Sequence, residues 1–244
     1  MNHAQIKKQL VKWLKEQVRK SGCRGIVVGL SGGIDSAVTA ALSQLACGRN
    51  CLGVIMPCHN HADDEKDARL LADHLKMKVT KVDLGPAYDR LIHALPAAGN
   101  KVVSGNMRPR LRMTVLYYYA GLNKYLVAGT GNKTEISLGY FTKYGDGGVD
   151  LLPLAGLLKS EVRALAAELG LPEELIKRKP SAGLWPGQTD EDEIGLPYDV
   201  LDCLVSGKKP AGKINPAKLR RINLMMKNSG HKRNPVPAFS PKKT

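Results

Sequence analysis

The run Gly25-Ile26-Val27-Val28-Gly29-Leu30 stops at Ser31-Gly32-Gly33, and an alanine-rich segment continues from Asp35 to about Cys47. A short apolar run bounded by glycines predicts a buried strand, and the alanine-rich segment predicts a helix. A strand that enters a helix through glycines turns backbone N–H groups toward one open point, an arrangement suited to anions. The same alternation recurs. Strands are predicted at 51–56, 78–84 and 125–129, with helices at 63–75, 86–95 and 107–122 between them. In the last of these helices Pro109 falls near the start, where proline is tolerated. Such a pattern predicts an α/β fold, a Rossmann-like parallel sheet with helices on both faces and ligands at the carboxyl ends of its strands.

The flanking segments are also legible. Ile6, Leu10, Leu14 and Val18 recur four apart among lysines, predicting an amphipathic helix over 4–20. Residues 130–150 are glycine-rich and polar, and are expected to be a long functional loop. A helix is predicted at 158–170, ended by Gly170 with Pro172 beyond. Residues 177–195 are turn-rich, and a basic helix is predicted over 215–228. Pro235, Pro237 and Pro241 suggest an extended arm over 229–244. A single domain over 1–244 is the expected organisation.

Composition excludes some classes. No stretch of about 18 apolar residues exists to span a membrane, and the lysine-rich N-terminus lacks an apolar signal core. Five cysteines without regular spacing fit a reducing, cytoplasmic setting. Cys58, His59 and His61 do not supply the four ligands of a structural zinc site. The net charge of +15 is concentrated at the ends: residues 1–24 carry +6, residues 25–202 carry −2, and the chain beyond Asp202 has eleven basic residues and no acid. Either nucleic acid or a small polyphosphate substrate could use such a field.

The loop Gly29-Leu30-Ser31-Gly32-Gly33-Ile34-Asp35-Ser36 lacks the lysine of an ordinary phosphate-binding loop. Asp35 beside a phosphate would repel it unless a divalent cation lay between them. The octapeptide resembles the pyrophosphate loop of the N-type ATP pyrophosphatases, whose members adenylate an oxygen of their substrate and then displace AMP. Three further segments resemble the ammonia-dependent NAD synthetase family within that superfamily. They are Gly105-Asn106-Met107-Arg108-Pro109-Arg110-Leu111-Arg112-Met113, the stretch from Gly129-Thr130-Gly131-Asn132-Lys133-Thr134-Glu135 through Leu154, and Lys179-Pro180-Ser181-Ala182-Gly183-Leu184 with Gly187-Gln188-Thr189-Asp190-Glu191. Pro109 stands where alanine is common, and the segment Pro57-Cys58-His59-Asn60-His61 matches poorly.

The resemblance implies an adenine nucleotide alpha hydrolase-like fold and a C–N ligase that makes NAD+ from deamido-NAD, ATP and ammonia. Under it, the loop from Gly29 to Ser36, with Thr130, Lys159 and Ser181, binds ATP, while Asp35 and Glu135 hold Mg2+. Arg110, Lys143, Asp150, His231 and Lys232 would contact deamido-NAD. No protein nucleophile is implied. Glutamine-dependent relatives carry an amidase domain before this module, and the early position of the loop leads us to expect free ammonia, or ammonia from a separate glutaminase, as the donor. The family also implies a homodimer. The helix at 107–122 agrees, because Leu111, Val115, Leu116, Tyr117, Tyr118, Tyr119 and Leu122 surround much of it. A tRNA-modifying ATP pyrophosphatase is the alternative, and a nucleotide-binding module without turnover a remote third. No cysteine pair or appended RNA-binding domain supports the tRNA reading.

Overall fold

A computed structural model describes residues 2–59, 62–181 and 189–241. Four parallel strands form the sheet: β1 (Gly25–Leu30), β2 (Cys51–Ile55), β3 (Lys78–Lys81) and β4 (Tyr125–Ala128), in the spatial order β3-β2-β1-β4. The helices in its first part are α1 (His3–Ser21), α2 (Ile34–Cys47), α3 (Ala62–His74), α4 (Gly85–His93), α5 (Lys101–Gly105) and α6 (Met107–Asn123). After β4 come α7 (Lys133–Leu138), α8 (Lys159–Glu168), α9 (Glu173–Lys177), α10 (Asp190–Ile194), α11 (Tyr198–Val205), α12 (Pro216–Asn228) and α13 (Gly230–Arg233).

Strand alternation divides the core. On β1, Ile26, Val28 and Leu30 face one side, where Leu14 of α1, Leu42 of α2 and Leu165 of α8 bury against them. Val27 faces the other side with Leu52, Val54 and Val127, under Tyr88 of α4 and Ala120 of α6. A third cluster, Leu138, Ile194, Tyr198, Leu201 and Ile222, ties α7, α10, α11 and α12 together beside the sheet. The chain runs outward from β1 to β3 and returns to the far side of β1 as β4. The carboxyl ends of β1 and β4 therefore flank a switch point, where such sheets bind ligands.

Three expectations are corrected. The strand expected over 78–84 ends at Lys81. Asp83 there turns its side chain to accept from the Gly85 amide (2.9 Å) and starts α4. The loop 130–150 contains α7, a helix too short to show apolar periodicity. The arm over 229–244 is not free at its root: Lys232 Nζ donates to the carbonyls of Gly139 (2.8 Å) and Phe141 (2.7 Å). Arg233 reaches the carbonyls of Ile136 and Ser137.

Candidate active site

The loop after β1 is built by its serines. Ser36 Oγ donates to the Gly33 carbonyl (2.8 Å), and Ser31 Oγ accepts from the Gly33 amide (3.2 Å). Gly33 caps α2 without any side-chain bond, so the helix start presents its amides to the space beside it. Gly32 adopts φ +78°, and a Cβ there would lie 2.7 Å from both Arg178 Nη1 and the Asp64 carbonyl. Only glycine fits both constraints.

Across the switch point, Asn132 begins α7 with a reciprocal cap. Its side chain accepts from the Glu135 amide (3.0 Å), and Glu135 Oε2 accepts from the Asn132 amide (3.2 Å). Asn132 Nδ2 also donates to Asp35 Oδ1 (2.9 Å), joining the two strand ends directly. The Lys159 ammonium pairs with Asp35 and, at 3.2 Å, with Glu135 Oε1. It is 2% exposed and lies over the Tyr198 ring, 4.9 Å from the centroid.

Asp202 of α11 sets Lys159 in place. Its carboxylate accepts from the amides of Lys159 (3.3 Å) and Ser160 (2.9 Å) and from Thr134 Oγ1 (2.5 Å). A buried carboxylate at the start of α8 is favoured by the helix dipole. Around the triad, Tyr198 Oη lies 3.0 Å from Asp190 Oδ2 and 3.4 Å from Glu135 Oε1. Tyr140 Oη lies 2.8 Å from Glu193 Oε2 and 3.2 Å from Asp190 Oδ1.

Burial, reinforced by Asp35 and only partly offset by Lys159, raises the Glu135 carboxyl pKa to about 8. Burial raises Asp190 as well, against the opposing pull of Lys159. For Lys159 burial works against the charge, but Asp35 and Glu135 outweigh it and hold its pKa above the ordinary lysine value. The result is two carboxyl groups gathered on one buried ammonium, at the foot of the loop after β1.

A cavity of about 610 Å³ opens over this cluster. Every residue from Gly29 to Ser36 except Gly32 lines it, as do Thr130, Glu135, Lys159, Ser181 and Lys232. Its size falls within the roughly 300–1,000 Å³ usual for small-molecule sites. Arg110, Lys143, Asp150 and His231 do not line it. Arg110 donates to the carbonyls of Asn106 and Lys143, both at 3.4 Å, and Lys143 Nζ to the His231 carbonyl (2.7 Å). Asp150 accepts from the Val127 amide (2.8 Å) and the Tyr117 hydroxyl (3.0 Å). Ala182, Gly183, Leu184, Gly187, Gln188 and His61, singled out in the sequence, lie outside the described residues.

Sequence reasoning passed over Asn132, Asp202, Tyr198 and Arg178 as site residues. Only the first carried a local signal, since asparagine followed three positions later by glutamate is a capping-box pattern. The others reach Gly32, Thr134, Glu135, Lys159 and Ser160 across 42 or more positions of sequence.

The NAD synthase family model matches residues 6–236. The chain belongs to the NAD synthase family. It is 47% identical over 238 residues to the NH(3)-dependent NAD(+) synthetase of Carboxydothermus hydrogenoformans, covering 96% of each chain. With the enzyme of the same name from Finegoldia magna it shares 45% identity, over 98% of this chain and 97% of the relative. Among solved structures, NMN synthetase from Francisella tularensis matches with a TM-score of 0.91 and 38% identity, covering all of both chains. The NH3-dependent NAD synthetase of Campylobacter jejuni matches with a TM-score of 0.81 and 30% identity over 98% of this chain and all of that one. The chain is thus a C–N bond-forming ligase of NAD biosynthesis on the adenine nucleotide alpha hydrolase fold. Family membership removes the tRNA-modifying reading. Among the described residues, no helix is long and apolar enough to cross a membrane.

Proposed function

We propose that the cavity binds ATP with its phosphates on the Gly29–Ser36 loop, and that the chain activates the nicotinate carboxylate of deamido-NAD for amidation by ammonia. The observation that carries this reading is the meeting of Asp35, Glu135 and Lys159 beneath that loop. The carboxyl oxygens of Asp35 and Glu135, already gathered around the Lys159 ammonium, suit a hard divalent ion such as Mg2+. Among the described residues no group of three or more histidine, cysteine or acidic side chains forms a complete site, so phosphate oxygens and water would supply the remaining ligands. When bound, Mg2+ supplies charge neutralisation at the phosphates.

A carboxylate is a poor electrophile, and adenylation gives it a leaving group. The nicotinate oxygen attacks the α-phosphorus, the bond to the β-phosphate oxygen breaks, and pyrophosphate leaves. Ammonia then adds to the acyl carbon, loses a proton and expels AMP, forming the amide of NAD+. The amides at the start of α2 face the departing pyrophosphate. Lys159 adds a fixed positive charge, and the walls from Thr130 to Ser181 orient the nucleotide. Arg110, Lys143, Asp150, His231 and Lys232 remain the expected deamido-NAD contacts. Of these, only Lys232 also lines the cavity.

Purified protein given ATP, Mg2+, deamido-NAD and ammonium should form NAD+, AMP and pyrophosphate in equal amounts. Formation of ADP, or no dependence on ammonium, overturns the reading. The close match to an NMN synthetase favours one second reading, in which nicotinate mononucleotide is the acid that is amidated. Comparing kcat/KM for the two acids decides between them.

A further inference from the structure

Arg178 lies just beyond α9, three residues before Ser181, and has no role in the function proposed above. Its Nη1 donates to the carbonyl of Gly32 (3.3 Å) and to Asp67 Oδ2 (2.5 Å), while Nη2 pairs with Asp64. The guanidinium therefore clasps three segments: the loop after β1, the first two turns of α3, and the strand of chain that carries Ser181. It lines the cavity and is one-quarter exposed, and the two aspartates are less so.

The packing at this point leaves no slack. A Cβ on Gly32 would sit 2.7 Å from Arg178 Nη1, 2.7 Å from the Asp64 carbonyl and 3.0 Å from Asp67 Cβ. The Gly32 peptide, in its left-handed conformation, does not line the cavity itself and is fixed by Arg178 at the cavity wall. The amides on either side are held within the loop, Ser31 N–H donating to Ser36 Oγ (3.3 Å) and Gly33 N–H to Ser31 Oγ (3.2 Å). Electrostatics points the same way. Asp64 and Asp67 stand behind a loop that must accept phosphate, and without a cation between them they would repel it. Arginine suits the position because its planar fork can serve two carboxylates and a carbonyl together, which a lysine ammonium cannot match.

We infer that Arg178 is a positioning residue for the pyrophosphate loop, fixing the Gly32 peptide and neutralising Asp64 and Asp67 so that phosphate can bind. The inference rests on the ATP reading proposed above. It predicts that Arg178→Ala weakens binding of inorganic pyrophosphate, measured by calorimetry in Mg2+, by about tenfold or more, the scale of one lost charge-assisted hydrogen bond. KM for ATP should rise in parallel while KM for deamido-NAD stays within about twofold. Arg178→Lys, which keeps the charge and loses the fork, should fall between wild type and Arg178→Ala. Adding Asp67→Asn to Arg178→Ala should recover part of the lost pyrophosphate affinity, which a merely structural clasp would not allow.

Unchanged pyrophosphate affinity in Arg178→Ala overturns the inference, as do equal rises in both substrate KM values or no recovery in the double variant. If Arg178→Ala does not fold, Arg178→Lys carries the same comparison. A wild-type chain that binds neither ATP nor pyrophosphate would overturn the ATP reading itself, an outcome distinct from tight binding that is indifferent to Arg178.

Discussion

Under the proposed function Asp35 and Lys159 divide one electrostatic task, and single substitutions should separate their shares. Asp35→Asn is nearly isosteric and keeps an acceptor for Asn132 Nδ2, so the fold should survive. The variant should nevertheless lose most NAD+ formation at limiting Mg2+ and regain part of it as Mg2+ is raised. Wild-type rates at limiting Mg2+ would rule Asp35 out as a metal ligand. Lys159→Ala removes the cation between Asp35 and Glu135 and should lower kcat by about 10²–10³-fold if that charge stabilises the transition state. A rise in KM for ATP at unchanged kcat would instead assign Lys159 to uniform binding. Removing one member of a buried ion pair also leaves uncompensated charge. Added Mg2+ should therefore raise the melting temperature of Lys159→Ala more than that of wild type.

The elements differ in how plainly they can be read, and α7 shows why. Helix α1 and strands β1 and β2 announce themselves because one face, or both, must be apolar over many residues. Helix α7 has six residues, buries Leu138 and Thr134, and is held mainly by the cap at Asn132 and by α11 and α12. No periodicity of its own could have revealed it, yet it carries Glu135. Asn132→Ala tests this dependence. Loss of the cap should cost about 1 kcal/mol of stability. Activity should fall much further, because the same side chain holds Asp35 and sets the start of the helix bearing Glu135. A melting temperature lowered with turnover intact would separate α7 from the site. The loop motif after β1 was fully legible for the converse reason. Its glycines and serines bond among themselves, whereas Arg178, Tyr198 and Asp202 reach the loop after β1, Glu135 and the start of α8 across 42 to 146 positions of sequence, where only the fold brings partners together.

At the scale of the molecule, the described residues of a single chain leave the outer face of α6 without cover. Leu111, Val115, Leu116 and Tyr119 pack inward against the sheet. Tyr118 and Leu122, one helical turn apart, are 66% and 67% exposed. Thr114 and Gly121 lie on the same stripe, also exposed, and among the described residues nothing comes within 4 Å of where a Gly121 Cβ would be. Small residues between large apolar ones allow two helices to approach closely, and a two-fold axis would set this stripe against its own copy. The homodimer expected from the sequence would thus bury the side of α6 that the sheet cannot. It would also join copies beside Tyr117 and Asp150, which are hydrogen-bonded at 3.0 Å near the residues expected to contact deamido-NAD. Sedimentation of the wild-type chain should give a dimer mass at micromolar concentration, and Tyr118→Glu with Leu122→Glu should give monomers by placing like charges across the axis. Those monomers should retain ATP binding, because neither residue lines the cavity beneath the Gly29–Ser36 loop. A wild-type monomer mass independent of concentration would refute the dimer and leave α6 as an uncovered apolar surface.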